Sequence, residues 1–331
     1  MSNFWKSAKR WLPGVIISLA AIIFIIYKFD LQNLANAIRS ANYWVLFLSL
    51  GISVIWLGVR GLVWRTLLKE KASYRDVFLT LSEGYLLNNI LPFRLGELGR
   101  AFLLGRKASL GFVEVLSTIA IERILDVAFS AVILLSAVPF VIGAAGAGKI
   151  ATLMGILVVV GLLTLYLLAR NREWAMDLFV RISRRWPTFQ ERGGVLVDSF
   201  LSGLEVLTDG WLFIRVLFWM ILDWGISIFQ FYLLLVAFFP HPQPIWALFG
   251  LGAAAFGNAV PSMPGAIGTY DAALAGALTI VSGDPTTSLA ATLVAHVFNY
   301  IVTGIIGAYA LATEGETLMD VYRQLRHQEK V

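Results

Sequence analysis

Six charged side chains lie in otherwise apolar sequence: Arg94, Glu97 and Arg100 in one stretch, and Glu122, Arg123 and Asp126 in the next. Each costs roughly 2.5 to 3.5 kcal/mol to place at the centre of a bilayer helix, so each needs a partner or a polar cavity. Spacing offers partners. Arg94 with Glu97, Glu97 with Arg100, and Arg123 with Asp126 stand at i, i+3, and Glu122 shares a helix face with Asp126 at i, i+4. Two arrangements satisfy them: a closed ion-pair network that fixes one helix against another, or a polar cavity in which carboxylates hold guanidinium groups ready. The cavity is the preferred reading. After Pro92 the chain is expected to re-enter a helix near Gly96, with the free N–H groups and positive dipole of that helix end pointing where Arg94 and Arg100 project. A guanidinium fork matches two phosphate oxygens. The expected ligand is therefore an anion of the phosphate type, held by Arg94 and Arg100 together with Asn89, Gly96 and Arg123. Glu97, Glu122 and Asp126 serve as counter-charges or proton carriers.

A second set follows later in the chain: Asn258, Pro261, Pro264, Gly265, Gly268 and Asp271, with His296 and Asn299 beyond it. Asp271 is ionisable, and its neighbours Ala266, Ala272, Ala273, Ala275 and Gly276 are small. Small residues permit close helix packing, or a narrow groove in which an acyl or prenyl chain slides. Asp271, His296 and Asn299 can complete a polar path, although an interhelical hydrogen bond is the readier role for His296 than a proton relay. Asn89, Pro92, Gly96 and Gly99 share with Asn258, Pro261, Gly265 and Gly268 the pattern N-x-x-P-x-x-x-G-x-x-G, offset by 169 residues.

Signals for covalent chemistry are poor. The chain has no cysteine, and its three histidines, His241, His296 and His327, lack zinc spacing. Gly143 to Lys149 match a phosphate-loop pattern, but Ile150 stands where Ser or Thr is required and no strand precedes it, so the segment reads as a turn. No enzyme activity, metal, cofactor or nucleic-acid partner is expected.

The elements that must position these residues are membrane helices. Of 331 residues 58% are hydrophobic and 14% charged, and the mean hydropathy is +0.77, which excludes a soluble enzyme, a nucleic-acid-binding domain and a disordered scaffold. An all-α polytopic membrane protein follows, with six full spans expected at 12–28, 42–64, 115–142, 150–170, 212–239 and 288–312. Two further apolar stretches, 77–105 and 245–281, are interrupted by Asn, Pro and Gly and read as broken re-entrant hairpins. If each hairpin returns to its own side, one side holds 18 Lys and Arg against 3 on the other, which places both termini in the cytoplasm of an inner membrane. Three crossings per half invert the second copy, so 1–145 and 146–331 are expected to be inverted-topology repeats. Two connections carry helical apolar faces: Leu31, Leu34, Ala35 and Ile38, and, within 171–210, Ala175, Leu178, Phe179, Ile182 and Trp186.

The string NNILPFRLGELGRAFLL, then IERILD, then PSMPGAIGTYDAA resembles the lysylphosphatidylglycerol synthase transmembrane region, also called the flippase-like domain family, over nearly the whole chain. The first string is similar to the family's L-P-x-R-x-G-E-x-x-R at Pro92, Arg94, Gly96, Glu97 and Arg100, and the second to its E-R-x-x-D at Glu122, Arg123 and Asp126. The third resembles P-G-G-x-G-x-x-E-A, with Ala266 for the second Gly, Tyr270 where a basic residue is common, and Asp271 for Glu. The resemblance implies movement of an anionic phospholipid or polyprenyl-phosphate-linked lipid between leaflets. Some relatives carry a cytosolic aminoacyl-transfer domain; about 19 residues follow the last span here, so the synthase activity is not carried over. Two other readings stay open: a non-transporting lipid-binding partner of a membrane-bound synthase, and an ion or small-anion exchanger. Lateral access from the bilayer separates them.

Overall fold

The computed structural model describes residues 30–91, 94–142, 170–184, 208–259 and 264–314, with single positions between 149 and 201. The expected span 12–28, most of 150–170, the turn at 143–148, Pro92, Pro261, Trp186 and everything past Glu314 lie outside the described residues.

The described elements are helices, and their starts follow from capping chemistry. Asp30 accepts the Gln32 N–H and opens α1 (Leu31–Arg39), and Asn42 accepts from Trp44 and Val45 and opens α2 (Tyr43–Leu67). Ser73 accepts the Asp76 N–H at the head of α3 (Tyr74–Ile90), which ends at a break and is followed by α4 (Leu95–Lys107) and α5 (Phe112–Ile142). After α6 (Arg172–Ser183), Asp209 caps α7 (Gly210–Phe238). The second break separates α8 (Pro244–Ala259) from α9 (Thr269–Ser282), with a short 3-10 turn at Pro264–Ala266 between them, and α10 (Pro285–Glu314) closes the described chain.

Among the described residues five stretches are long and apolar enough to cross a membrane: Tyr43–Leu67, Phe112–Val141, Gly210–Phe238, Pro264–Ser282 and Pro285–Glu314. Four are the expected spans. The fifth differs from expectation, since the second arm of the second broken stretch satisfies the length requirement by itself once its 3-10 turn is counted. Large apolar side chains on the outer faces, among them Phe47, Ile55, Phe140, Phe218 and Ile305, are exposed, as hydrocarbon-facing groups must be. Trp44 and Trp211, at the first turns of α2 and α7, are exposed too and fit the membrane–water interface.

Neither amphipathic connection packs quite as its periodicity predicts. In α1, Leu34 and Ile38 pack on Leu289 and Leu293 of α10, while Leu31 and Ala35 stay exposed. In α6, Ala175 and Ser183 are buried, with Met176 packed against the Ala175 cluster, while Leu178 and Ile182 face outward. Periodicity finds the apolar stripe of a helix but not how far a neighbour covers it.

The two arms of each broken stretch pack on one another, α3 on α4 and α8 on α9, and the two stretches then exchange partners: α3 lies on α10 and α8 on α5, while α2 lies along α7. Polar contacts gather the helix ends into two sets. At one end Glu70 pairs with Arg215, Lys71 Nζ meets Glu114 Oε1 at 2.5 Å, and Lys107 Nζ binds Glu83 Oε2 at 3.1 Å and also Glu314. At the other the Asn42 N–H donates to the Ala237 carbonyl at 2.9 Å, and α1 lies against the head of α10. The stretch α3–α4 thus starts and finishes at the first end, and α8–α9 at the second.

Candidate functional site

Seven of the eight charged groups converging near the first break come from four helices: Arg60 on α2, Arg100 and Glu97 on α4, Glu122, Arg123 and Asp126 on α5, and Asp223 on α7. The eighth, Arg94, stands immediately before α4. Arg60 is the hub. Its Nη2 reaches Glu122 Oε1 at 2.6 Å, and its Nη1 reaches Asp126 Oδ1 at 2.9 Å and Asp223 Oδ2 at 3.1 Å. Glu122, fully buried, also accepts from Arg100 Nη2 at 2.5 Å and from Arg123. Arg100 lies 4.3 Å from the Trp64 ring centroid, and Trp64 Nε1 is itself fixed by Thr118 Oγ1 at 3.0 Å. Four arginines and four carboxylates leave this assembly formally neutral.

Exposure divides it into two tiers. The side chains of Arg60 and Arg100 are 4% and 3% exposed, those of Arg94 and Arg123 37% and 26%. In the outer tier Arg94 Nη1 is 3.5 Å from Glu97 Oε1, and Arg123 is 3.8 Å from Glu97 and 3.2 Å from Asp126. The i, i+3 pairs Arg94–Glu97 and Arg123–Asp126 therefore form, whereas the expected Glu97–Arg100 pair gives way to Arg100–Glu122 between helices. A helix–helix contact brings a fully buried carboxylate to Arg100, where the bond is stronger than across a half-exposed turn.

The residues around the break have distinct tasks. Arg94 takes a left-handed backbone, φ 54°, and its own side chain does not cap the helix it opens. Asn88, rather than Asn89, accepts the Gly96 N–H, at 2.9 Å. Asn89 turns to α10 and donates to Thr303 Oγ1 at 2.9 Å, and Thr303 in turn donates to the Asn299 carbonyl at 2.6 Å. Asn88 thus ties α3 to the head of α4, and Asn89 ties α3 to α10. Gly96 is needed for proximity: a Cβ there would collide with the Gly84 carbonyl oxygen and stand 2.6 Å from Asn88 Oδ1.

The second break is built without such a cluster. Gly265 and Gly268 have φ of 67° and 91°, which only glycine adopts at low cost. The Gly265 carbonyl faces His296 Nε2 at 2.9 Å, His296 Nδ1 faces Asp271 Oδ1 at 2.7 Å, and Asp271 Oδ2 accepts the Gly268 N–H at 2.9 Å. Tyr300 Oη donates to the Pro264 carbonyl at 3.3 Å. Asp271, His296, Gly265, Gly268 and Pro264 thus form one unit, to which Asn299 makes no hydrogen bond. The two breaks touch, because Arg94 Nη2 donates to the Asn258 carbonyl at 2.9 Å.

A family model for the lysylphosphatidylglycerol synthase TM region matches residues 11–307. The chain belongs to this family. No curated protein and no solved structure matches it. For this member of the lysylphosphatidylglycerol synthase TM-region family, the family strings contain six of the eight charged groups and omit Arg60 and Asp223. Arg60 reads in sequence as one more cation left in a span, and Asp223 as part of the long apolar run 212–239. The signal was the cost of burying each charge singly: a lone Arg in α2 and a lone Asp in α7 require one another. Among the described residues no three His, Asp or Glu gather as metal ligands.

Proposed function

We propose that the chain binds the phosphate-bearing headgroup of an anionic phospholipid or polyprenyl-phosphate-linked lipid at Arg94 and Arg123 and moves it between leaflets, the tails staying in the bilayer. The observation carrying this reading is the partial exposure of the Arg94 and Arg123 side chains above a closed, buried tier. Arg60 and Arg100 are almost wholly buried against Glu122, Asp126 and Asp223, so of the arginines read for phosphate Arg94 and Arg123 keep that role, Arg123 while also paired with Glu122 and Asp126. Glu97, 22% exposed and shared by Arg94 and Arg123, is the anion that a phosphate replaces. At the head of α4 the Gly96 N–H is already held by Asn88, so binding there rests on the two guanidiniums.

Support for an inverted repeat comes from the exchanged packing, α3 on α10 and α8 on α5, and from the opposite ends at which the two broken stretches start and finish. In this reading both breaks approach the midplane as re-entrant hairpins, and the end holding Lys71, Lys107 and Arg215 faces the cytoplasm of an inner membrane together with both termini. No covalent chemistry is assigned to the chain, so synthesis of the lipid belongs to a membrane-bound partner. The drive is a gradient.

Native mass spectrometry of lipid kept after mild extraction tests the headgroup site. Arg94→Gln loses one charge-assisted contact worth roughly 1.5 to 3 kcal/mol and is expected to lower retention by about one to two decades while the protein stays folded. Retention at the wild-type level in Arg94→Gln and Arg123→Gln alike would overturn the reading. Orientation is tested separately in the cysteine-free chain: cysteines placed at the exposed Ser73 and Arg184 are expected to react from the cytoplasm alone and one at Ser282 from outside alone.

A further inference from the structure

A helix leaves its last four carbonyls without partners of its own, and its dipole favours a cation near that end. α8 ends at Ala259, and its last turn holds no basic residue. The cation it uses comes from the other broken stretch, because Arg94 Nη2 donates to the Asn258 carbonyl at 2.9 Å. Arg94 thus closes the C-terminal end of α8 while standing at the head of α4. Its backbone is left-handed, φ 54°, a conformation that a residue with a Cβ keeps only where its surroundings hold it. Neither partner is sealed in: the Arg94 side chain is 37% exposed, and Asn258 is exposed as well.

We infer that this contact is a bolt between the two broken stretches, drawn open by a headgroup of net negative charge. The role rests on the headgroup site proposed above. Donors alone do not force the choice, since the five N–H groups of Arg94 can serve a phosphate oxygen and the Asn258 carbonyl together. Charge does. A phosphate seated on that guanidinium stands beside the negative end of α8, where the dipole repels an anion as it favours a cation. An anion also attracts the guanidinium more strongly than a neutral carbonyl does, so Arg94 follows the phosphate and the end of α8 is released.

Glu97, 3.5 Å from Arg94 Nη1, is an anion already at hand, but it lies on α4 itself and its pull does not part the stretches. A zwitterionic headgroup sets an ammonium beside its phosphate and leaves little net charge to repel a helix end, so it can occupy Arg94 with the bolt in place. Net charge of the headgroup, rather than the presence of phosphate, is then the property that frees one stretch from the other. Once freed, each keeps its own support, α3 on α10 and α8 on α5.

The bolt can be read directly, as the dipolar coupling between a carbon-13 label at the Asn258 carbonyl and nitrogen-15 in the arginine guanidiniums, on the full chain in nanodiscs. Arg94→Lys removes the coupled nitrogen and so assigns the signal. Should that variant not fold, nitrogen-15 alanine assigns it in Asn36→Ser, where Asn258–Ala259 is the one Asn–Ala step left in the chain. In discs of phosphatidylcholine alone the coupling is expected at full strength. With phosphatidylglycerol or a polyprenyl phosphate in excess it is expected to fall about tenfold for whichever lipid native mass spectrometry shows to be retained, the order of one charge-assisted contact. With phosphatidylethanolamine it is expected to stay. A coupling that persists in protein retaining an anionic lipid overturns the bolt and leaves the headgroup site standing, provided that retention is lost in Arg94→Gln. An equal fall with phosphatidylethanolamine, or no coupling in phosphatidylcholine, also overturns it. If neither anionic lipid is retained, the headgroup site falls and the bolt with it.

Discussion

The two helix breaks share a layout and a sequence pattern, yet their matched positions do different work. In the first break the left-handed backbone falls on Arg94, while Gly96 keeps an ordinary helical backbone and serves close packing against Gly84. In the second, Gly265, the match of Gly96, itself takes the left-handed backbone and gives its carbonyl to His296. The first break is surrounded by four arginines and four carboxylates; the second has one carboxylate and one imidazole. A repeated backbone pattern therefore specifies where a helix is interrupted, and the residues packed around the interruption decide its chemistry, a network of ion pairs at one and a chain of hydrogen bonds through Asp271, His296 and the Gly265 carbonyl at the other.

If the first break rests on its ionic tier and the second does not, removal of the hub must be the most damaging change in the molecule. Arg60→Leu leaves Glu122, Asp126 and Asp223 without their shared cation. Breaking a buried pair from one side costs roughly 3 to 5 kcal/mol, and here three acids lose a partner at once. Loss of extractable folded protein, or a fall of the unfolding midpoint well beyond that of any change at the second break, is expected. The comparison breaks if Arg60→Leu and His296→Ala unfold at the same temperature.

The matched glycines give a finer contrast. In Gly96→Ala the new methyl meets the Gly84 carbonyl, backbone that cannot move aside, and destabilisation at the upper end of the roughly 1 to 3 kcal/mol range for overpacking is expected. In Gly265→Ala the obstacle is the far end of the Tyr300 side chain, which can turn away, so what remains is about 1 kcal/mol for a left-handed non-glycine residue. Gly276→Ala, with open space around it, is the control. Thermal unfolding of the three should rank Gly96, Gly265, Gly276, and a reversal of the first two would show that the breaks are packed alike.

Much of this organisation was legible in the sequence because it rests on insertion cost and on helix punctuation. Asn, Pro and Gly marked both breaks, and the described spans match α2, α5, α7 and α10 to within a few residues. Six of the eight charged groups of the first site were found for the same reason, since an unpaired charge among Leu and Ile is conspicuous, while Arg60 and Asp223 were not singled out. What spacing cannot give is the partner across helices. Arg100 pairs with Glu122, Arg60 with Asp223 163 residues away, and Asn89 with Thr303 214 residues away, contacts set by packing of the whole bundle. The choice between cavity and closed network also had no answer in one dimension. The structure closes Arg60 and Arg100 into buried pairs and leaves Arg94 and Arg123 partly exposed, and burial assigns each arginine to one tier.

The smallest expected effects come from removing one carboxylate at each break. Glu97 is partly exposed and shared by Arg94 and Arg123, and in the proposed function it holds their guanidiniums between visits of an anion. In Glu97→Gln that competition disappears, so lipid retention is expected to rise severalfold, within about a decade for one charge at partial exposure. Exchange of headgroups between leaflets in reconstituted vesicles is expected to slow, because a carrier that loses its competing anion releases its ligand less readily. Asp271→Asn removes a carboxylate too, but one that faces His296 and the Gly268 N–H, so lipid retention should stay at the wild-type level. Equal changes in retention from the two substitutions would merge the breaks into a single site. A wild-type exchange rate in Glu97→Gln would take that carboxylate out of the release step and leave it a structural bridge between two arginines.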